Sequence, residues 1–134
     1  MKKEDLDFKH PFELNVLYSE YMHAFVGYFE IFFPGGVSFS TSPFAKETHW
    51  KQTVFYFHEK MWCCHGDIIK GVIDCHRVKE NPRDLDVQIE WELNQKGHII
   101  PAKEKYRIRY TVCMKQPIYS TLYRNHESGL FIQS

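Results

Sequence analysis

Alternation at period two constrains this chain more than any other feature. From Leu85 to Leu93 every odd position is apolar (Leu85, Val87, Ile89, Trp91, Leu93) and every even position is polar (Asp86, Gln88, Glu90, Glu92). Successive side chains of a strand leave opposite faces of a sheet, so this run reads as a strand with one face in a core and the other in water. A helix cannot use the pattern, because its apolar stripe needs spacings of three and four. The same alternation places Phe12, Leu14, Val16 and Tyr18 on one strand, and Tyr106, Ile108, Tyr110, Val112 and Met114 on another that runs from Lys105 to Met114. Lys51–His58 and Ile68–His76 are also strand-like, being rich in aromatic or β-branched residues. From Tyr21 to Phe33 both faces are apolar except at His23 and Glu30, as expected of a strand buried on both sides or covered by another domain.

Turn signals separate these runs. Pro34-Gly35-Gly36 reverses the chain into a short strand at Val37–Ser40, and Thr41–Thr48 is a loop around Pro43. Cys63-Cys64-His65-Gly66-Asp67, Asn81-Pro82-Arg83-Asp84 and Asn94–Gly97 supply further turns, and no amphipathic helix precedes Lys115. Strands joined by short turns predict an all-β fold, an antiparallel barrel or sandwich over residues 1–114. Phe12, Leu14, Val72, Ile73, Leu85, Val87, Ile89, Trp91, Ile108 and Tyr110 are expected to contribute to its apolar interior. Val72 and Ile73 lie on opposite faces of one strand, so one of them needs cover from elsewhere. Residues 115–134 form an extension of unassigned structure. Ile118 and Leu122 with Tyr119 and Tyr123 would suit one helical turn, whereas Leu130-Phe131-Ile132 looks strand-like.

Composition excludes several function classes. With 134 residues, 43% of them hydrophobic and 16% aromatic, the chain can bury one core without staples and is not disordered. Seventeen basic residues balance seventeen acidic ones, which removes the electrostatic footprint of nucleic-acid binding. No run approaches the ~20 apolar residues of a spanning helix, and the richest stretch, Ala24–Phe33, contains Glu30. The charged start, Met1–Phe8, leads into no signal-like apolar region. Four cysteines, two of them adjacent, are too sparse for a disulfide scaffold and are expected as reduced thiols in the cytoplasm or nucleus.

Few residues suggest chemistry. Cys63, Cys64, His65, Cys75 and His76 invite a zinc reading, but tetrahedral sites use ligand pairs two to four residues apart. A turn followed by a strand with a buried thiol at Cys75 accounts for them better, and no metal is expected. A nucleophilic pair of Cys75 or Cys113 with one of the eight histidines has no supporting signature, so inert cysteines are expected. Asp86, Glu90 and Glu92 could act as paired catalytic carboxylates. Arg107 and Arg109 on the next strand favour a solvated ladder of ion pairs instead. There is no GxGxxG, phosphate loop or Gly-x-Ser-x-Gly elbow. In Thr48-His49-Trp50, taken on its own, the histidine reads as a surface residue and the tryptophan as core.

The run Phe39-Ser40-Thr41-Ser42-Pro43, followed after four residues by Thr48-His49-Trp50-Lys51-Gln52-Thr53-Val54-Phe55-Tyr56-Phe57, resembles the protein arginine N-methyltransferase family. Thr-His-Trp is that family's loop signature, and the flanking Ser-Thr-x-Pro and Trp-Lys-Gln sharpen the likeness. Glu4-Asp5-Leu6-x-Phe8, Pro11-Phe12 and Asn81-Pro82-Arg83-Asp84-Leu85 extend it from about Lys3 to Arg109. The resemblance implies a two-part enzyme. A Rossmann-like domain binds S-adenosylmethionine and supplies two catalytic glutamates, a β-barrel packs on it, and the peptide lies between them. This sequence is similar to the barrel alone, without the cofactor glycines, the double-glutamate loop or the helical dimerisation arm. Alone it is expected to bind no S-adenosylmethionine and to be inactive. By the same resemblance His49 pairs with an acidic group of the catalytic domain and supports catalysis, while Thr48 and Trp50 shape the substrate side. The implied partners are that catalytic domain and arginine-containing proteins, and neither nucleic acid nor membrane; the apolar Tyr21–Phe33 surface predicts self-association of the isolated chain or cover by the tail from Gln116. Two other classes compete: a stand-alone interaction module, and a small-ligand barrel of lipocalin type.

Overall fold

A computed structural model describes residues 7–109 and the backbone of 130–132. Over these residues the chain forms β1 (Phe8–Asn15), β2 (Glu20–Gly27), β3 (Glu30–Phe32), β4 (Ser38–Ser40), β5 (Thr53–Cys63), β6 (Ile68–Arg77), β7 (Leu85–Gln95), β8 (His98–Ile108) and β9 (Leu130–Ile132). The strand with the cleanest alternation, β7, lies inside an antiparallel sheet of order β1-β6-β7-β8. Its Val87, Ile89, Trp91 and Leu93 are buried. Pro11 and Pro101, which cannot donate to a ladder, fall on β1 and β8, the two edge strands. The β7–β8 link is a two-residue turn, Lys96-Gly97, with both φ angles positive (50° and 90°). That conformation suits the right-handed twist of a hairpin.

Register matches size across this sheet. One row runs Phe12, Gly71, Trp91, Ala102, so large and small residues alternate between neighbours. A Cβ at position 71 would come within 2.5 Å of the Phe12 ring and 2.6 Å of the Glu90 carbonyl oxygen, which explains a glycine in mid-strand. Against this row lies a second sheet, of order β5-β2-β9. Its Phe25, fully buried, meets Phe12, Phe57 and Trp91 edge-on with ring centroids 5.6, 4.9 and 5.0 Å away. Burying such a ring contributes about 1.5–3 kcal/mol, and edge-on contacts add about 0.5–1.5 kcal/mol. At one margin the sheets are tied by side chains: Tyr106 Oη donates to the Tyr56 carbonyl (2.8 Å) and the His58 amide donates to Glu104 (2.7 Å).

The all-β expectation holds: every element among the described residues is a strand. Its details shift. The first strand covers Phe8–Asn15, leaving Tyr18 beyond it and 74% exposed. Lys51–His58 belongs to a longer strand reaching Cys63, and the strand predicted from Lys105 starts earlier, at His98. Tyr21–Phe33 is not one doubly buried strand. It breaks at Tyr28-Phe29 into β2 and the β3–β4 hairpin, with Met22 and Phe25 inward and Ile31, Phe32 and Phe33 exposed. Ile73 packs on the core, whereas Val72 faces outward between Pro11 and Glu90 and is only partly covered. The ladders among β1–β8 are antiparallel, as expected; β9, in the extension whose structure the sequence leaves unassigned, pairs in parallel with β2. Tyr110–Met114 and the candidate helical turn at 118–123 lie outside the described residues.

Candidate functional site

Residues 28–52 leave the sandwich as a hairpin and a loop, and local hydrogen bonds hold them in place. Thr41, 2% exposed, clamps Phe29 three ways. Its amide donates to the Phe29 carbonyl (2.9 Å), its hydroxyl donates to the same oxygen (3.0 Å), and that hydroxyl accepts the Phe29 amide (3.0 Å). Gln52 Nε2 donates to the Thr41 carbonyl at 2.6 Å, which joins the far end of the loop to its start. Between them, the Ser40 and Ser42 hydroxyls accept amides two residues on, from Ser42 and Phe44. Such short side-chain-to-backbone bonds favour turns over strand continuation. Lys51 pairs with Glu47 at 2.7 Å.

This bracing sets Thr48-His49-Trp50 on the surface. Thr48, half-buried, donates its hydroxyl to the Trp50 carbonyl (2.9 Å) and so fixes the turn that carries His49. His49 is exposed. Trp50 is 57% exposed, which corrects its reading as core. One face of its indole stacks on Phe39 (5.4 Å, 23° between planes), and Phe29 meets it at a steep angle (6.3 Å). Phe33 stacks on the other side of that group, 6.3 Å from Phe39. Ile31, opposite Phe39 in the β3–β4 ladder, is exposed on the same face of the hairpin, whereas Phe32, the next residue of β3, is exposed on the other face. Period and composition could not reveal the Thr41 and Gln52 clamps. Their only sequence signal was membership of the Ser-Thr-x-Pro and Trp-Lys-Gln motifs.

The other candidates have structural roles. In the turn after β5, Asp67, 5% exposed, accepts the Cys64 amide (2.8 Å) and Gln95 Nε2 (3.1 Å). Burial, and secondarily the Asp67 carboxylate, push the Cys63 thiol up to about 11. Burial also raises Cys75. Raised thiols are poor nucleophiles, so neither is poised for attack; Cys113 lies outside the described residues. Among the described residues, no three His, Cys, Asp or Glu side chains converge on a common point. Asp86 takes Arg107 in a two-point pair (2.6 and 2.8 Å) that holds its carboxyl below the usual range. Glu90 pairs with Lys103 at 2.7 Å and is lowered by it. Glu92 is exposed opposite Pro101. Asp86 and Glu90 thus form a cross-strand ladder, with Lys103 in place of the expected Arg109 as the second cation.

Fold and surface together define an all-β module that braces a short His-Trp loop against an exposed aromatic hairpin. Residues 1–96 match the family described as the arginine methyltransferase oligomerization subdomain, and the chain belongs to it. It is 41% identical over 112 residues to protein arginine N-methyltransferase 1 of Chlamydomonas reinhardtii, covering 81% of this chain and 32% of that protein. To protein arginine N-methyltransferase 1 of Schizosaccharomyces pombe it is 42% identical over 97 residues, 70% of this chain and 28% of that one. Among solved structures it is similar to the Trypanosoma brucei PRMT1 enzyme-prozyme heterotetrameric complex with AdoHcy. There the TM-score is 0.73 at 28% identity, with 81% of this chain and 36% of that chain covered. The chain thus spans about a third of the length of the relatives it matches.

Proposed function

We propose that this chain is the substrate-side barrel of a protein arginine N-methyltransferase. It would work with a Rossmann-like domain that binds S-adenosylmethionine and transfers its methyl group to arginine guanidinium groups of proteins. The observation that carries this reading is the braced loop from Thr41 to Gln52, which fixes Thr48-His49-Trp50 at the rim of the aromatic hairpin. The similarity to arginine methyltransferases from an alga and a yeast supports it.

The division of labour follows from the residues present. Bound S-adenosylmethionine supplies an electrophilic methyl group. In the proposed enzyme the cofactor belongs to the other domain. From this side, the His49 imidazole holds a carboxylate across the domain contact by a charge-assisted hydrogen bond. The open face of Trp50, with Phe33 and Ile31, forms the apolar floor of the same contact. Holding the loop rigid keeps the substrate arginine in a near-attack position. Self-association would use the rest of the hairpin surface, and reduced thiols suit the cytoplasm or nucleus. The exposed Phe32, Phe33 and Trp50 would also serve a non-catalytic interaction module, the second reading.

A chimera separates the two. Residues 1–109 replace the matching segment of the Chlamydomonas reinhardtii enzyme, and kcat/KM is measured on an arginine peptide. The chimera should methylate, and His49→Ala should lower kcat/KM on the order of a hundredfold while changing stability by less than about 0.5 kcal/mol. Full activity of the folded His49→Ala chimera would remove His49 from the site. A folded but inactive parent chimera would favour the interaction module.

A further inference from the structure

Of the six prolines in the chain, only Pro43 follows a serine or threonine. Ser42-Pro43 opens the loop between β4 and β5; Ser42 is half-buried, and Pro43, Phe44, Ala45, Lys46 and Glu47 are all exposed. The pair starts a tight turn at the surface. The Ala45 amide donates to the Ser42 carbonyl (3.0 Å), and the Phe44 amide donates to the Ser42 hydroxyl (3.2 Å). Proline suits the second position of such a turn because its φ is already set. Ser42 Oγ is the acceptor in that second bond, so the bond does not use its own proton. At the base of the loop, the Gln52 bond to the Thr41 carbonyl (2.6 Å) brings the limb that starts at Ser42 against the limb that ends at Lys51. Lys51 in turn pairs with Glu47 (2.7 Å), and this pair spans Thr48-His49-Trp50.

We propose that Ser42 is a phosphoacceptor for a proline-directed protein kinase, and that its phosphate rearranges the ion pairs of the loop that carries His49. Such kinases take a serine whose next residue is proline, on an exposed segment that can straighten. The γ-phosphoryl group of ATP passes to Ser42 Oγ, the hydroxyl proton goes to the aspartate base of the kinase, and ADP leaves. The product carries a charge of about −1.5 to −2 at pH 7. When the turn closes again, the Phe44 amide meets a phosphate oxygen in place of a hydroxyl, a charge-assisted and shorter bond. The two lysines of the loop are Lys46 and Lys51, and the dianion competes with Glu47 for Lys51. Loss of that pair loosens the turn that holds His49. The resulting fall in methyl transfer rests on the methyltransferase reading; the modification itself does not.

Three measurements test this. The full chain, incubated with a cyclin-dependent kinase and ATP, should gain one phosphate by intact mass, located at Ser42 by fragmentation, and Ser42→Ala should gain none. A synthetic peptide of residues 38–47 checks the kinase. Phosphate on the peptide but not on the folded chain would show that the fold withholds Ser42, and this overturns the proposal, as does phosphate at another residue or on neither. In the phosphorylated chain the Phe44 amide proton should move downfield; an unmoved resonance overturns the seat of the phosphate. In the chimera described above, kinase treatment should lower kcat/KM about tenfold and leave the Ser42→Ala chimera unchanged. An equal response of the two overturns the control of His49. An inactive parent chimera would instead sink the methyltransferase reading, with the mass and amide results still deciding the site.

Discussion

Replacing Thr41 by Val removes one hydroxyl and keeps the shape of the side chain. In the folded chain that hydroxyl accepts the Phe29 amide at 3.0 Å and donates to the Phe29 carbonyl at 3.0 Å, with Thr41 itself 2% exposed. The carbonyl keeps a second donor, the Thr41 amide at 2.9 Å, but the Phe29 amide is left without an acceptor. Phe29 is 37% exposed, so its orphaned donor costs towards the lower end of about 1–3 kcal/mol. For a domain of this size 1 kcal/mol moves Tm by roughly 3–5 °C, so Thr41→Val should melt several degrees below the wild type. Thr41→Ser keeps both hydroxyl bonds and loses one methyl group, about 0.8 kcal/mol. The expected order of stability is therefore wild type, then Ser, then Val. Thermal unfolding followed by circular dichroism, with urea midpoints at unchanged m, reads the order directly. A Val variant as stable as the Ser variant would show that shape, not hydrogen bonding, holds the loop.

Ile89→Ala, in the middle of β7 and fully buried, should cost about 2–5 kcal/mol in urea unfolding; a loss under about 0.5 kcal/mol would place Ile89 outside the core. Gly71→Ala should lose about 1–3 kcal/mol by overpacking. The loss should persist in a Phe12→Leu background, because the Glu90 carbonyl oxygen 2.6 Å away belongs to the backbone; recovery there would assign the whole strain to the Phe12 ring. The Cys63 thiol is raised from 9.0 to about 11, chiefly by burial, so its neutral form is the one the fold favours. Its contribution is then complete below pH 9 and declines as pH rises towards 11. Across that window wild-type stability should fall more steeply than that of Cys63→Ala, and parallel profiles would contradict the assignment.

The ladder of β7 was legible because each fact about it is local. Backbone geometry sends Leu85, Val87, Ile89, Trp91 and Leu93 to one side whatever the strand pairs with, and the hairpin turn at Lys96-Gly97 fixes the register of Asp86 with Arg107. The all-β class, the ion-paired outer face and the turn after β5 follow from the same local rules. The family likeness rested on a run of motif residues, and it located the loop without explaining it. Which apolar residues remain exposed depends on what packs over them, and that is set by segments distant in sequence. Tyr21–Phe33 has the composition of a buried strand, yet it splits because Thr41 draws Phe29 out of the sheet with three backbone-directed bonds. Trp50 looks like core by residue type and is half open because its stacking partner Phe39 stands on the protruding β3–β4 hairpin. The parallel seat of β9 beside β2 was likewise invisible, since a three-residue strand carries no mark of its partner or direction. Period two assigns a face to each side chain, but only the assembled sheets determine what lies against that face.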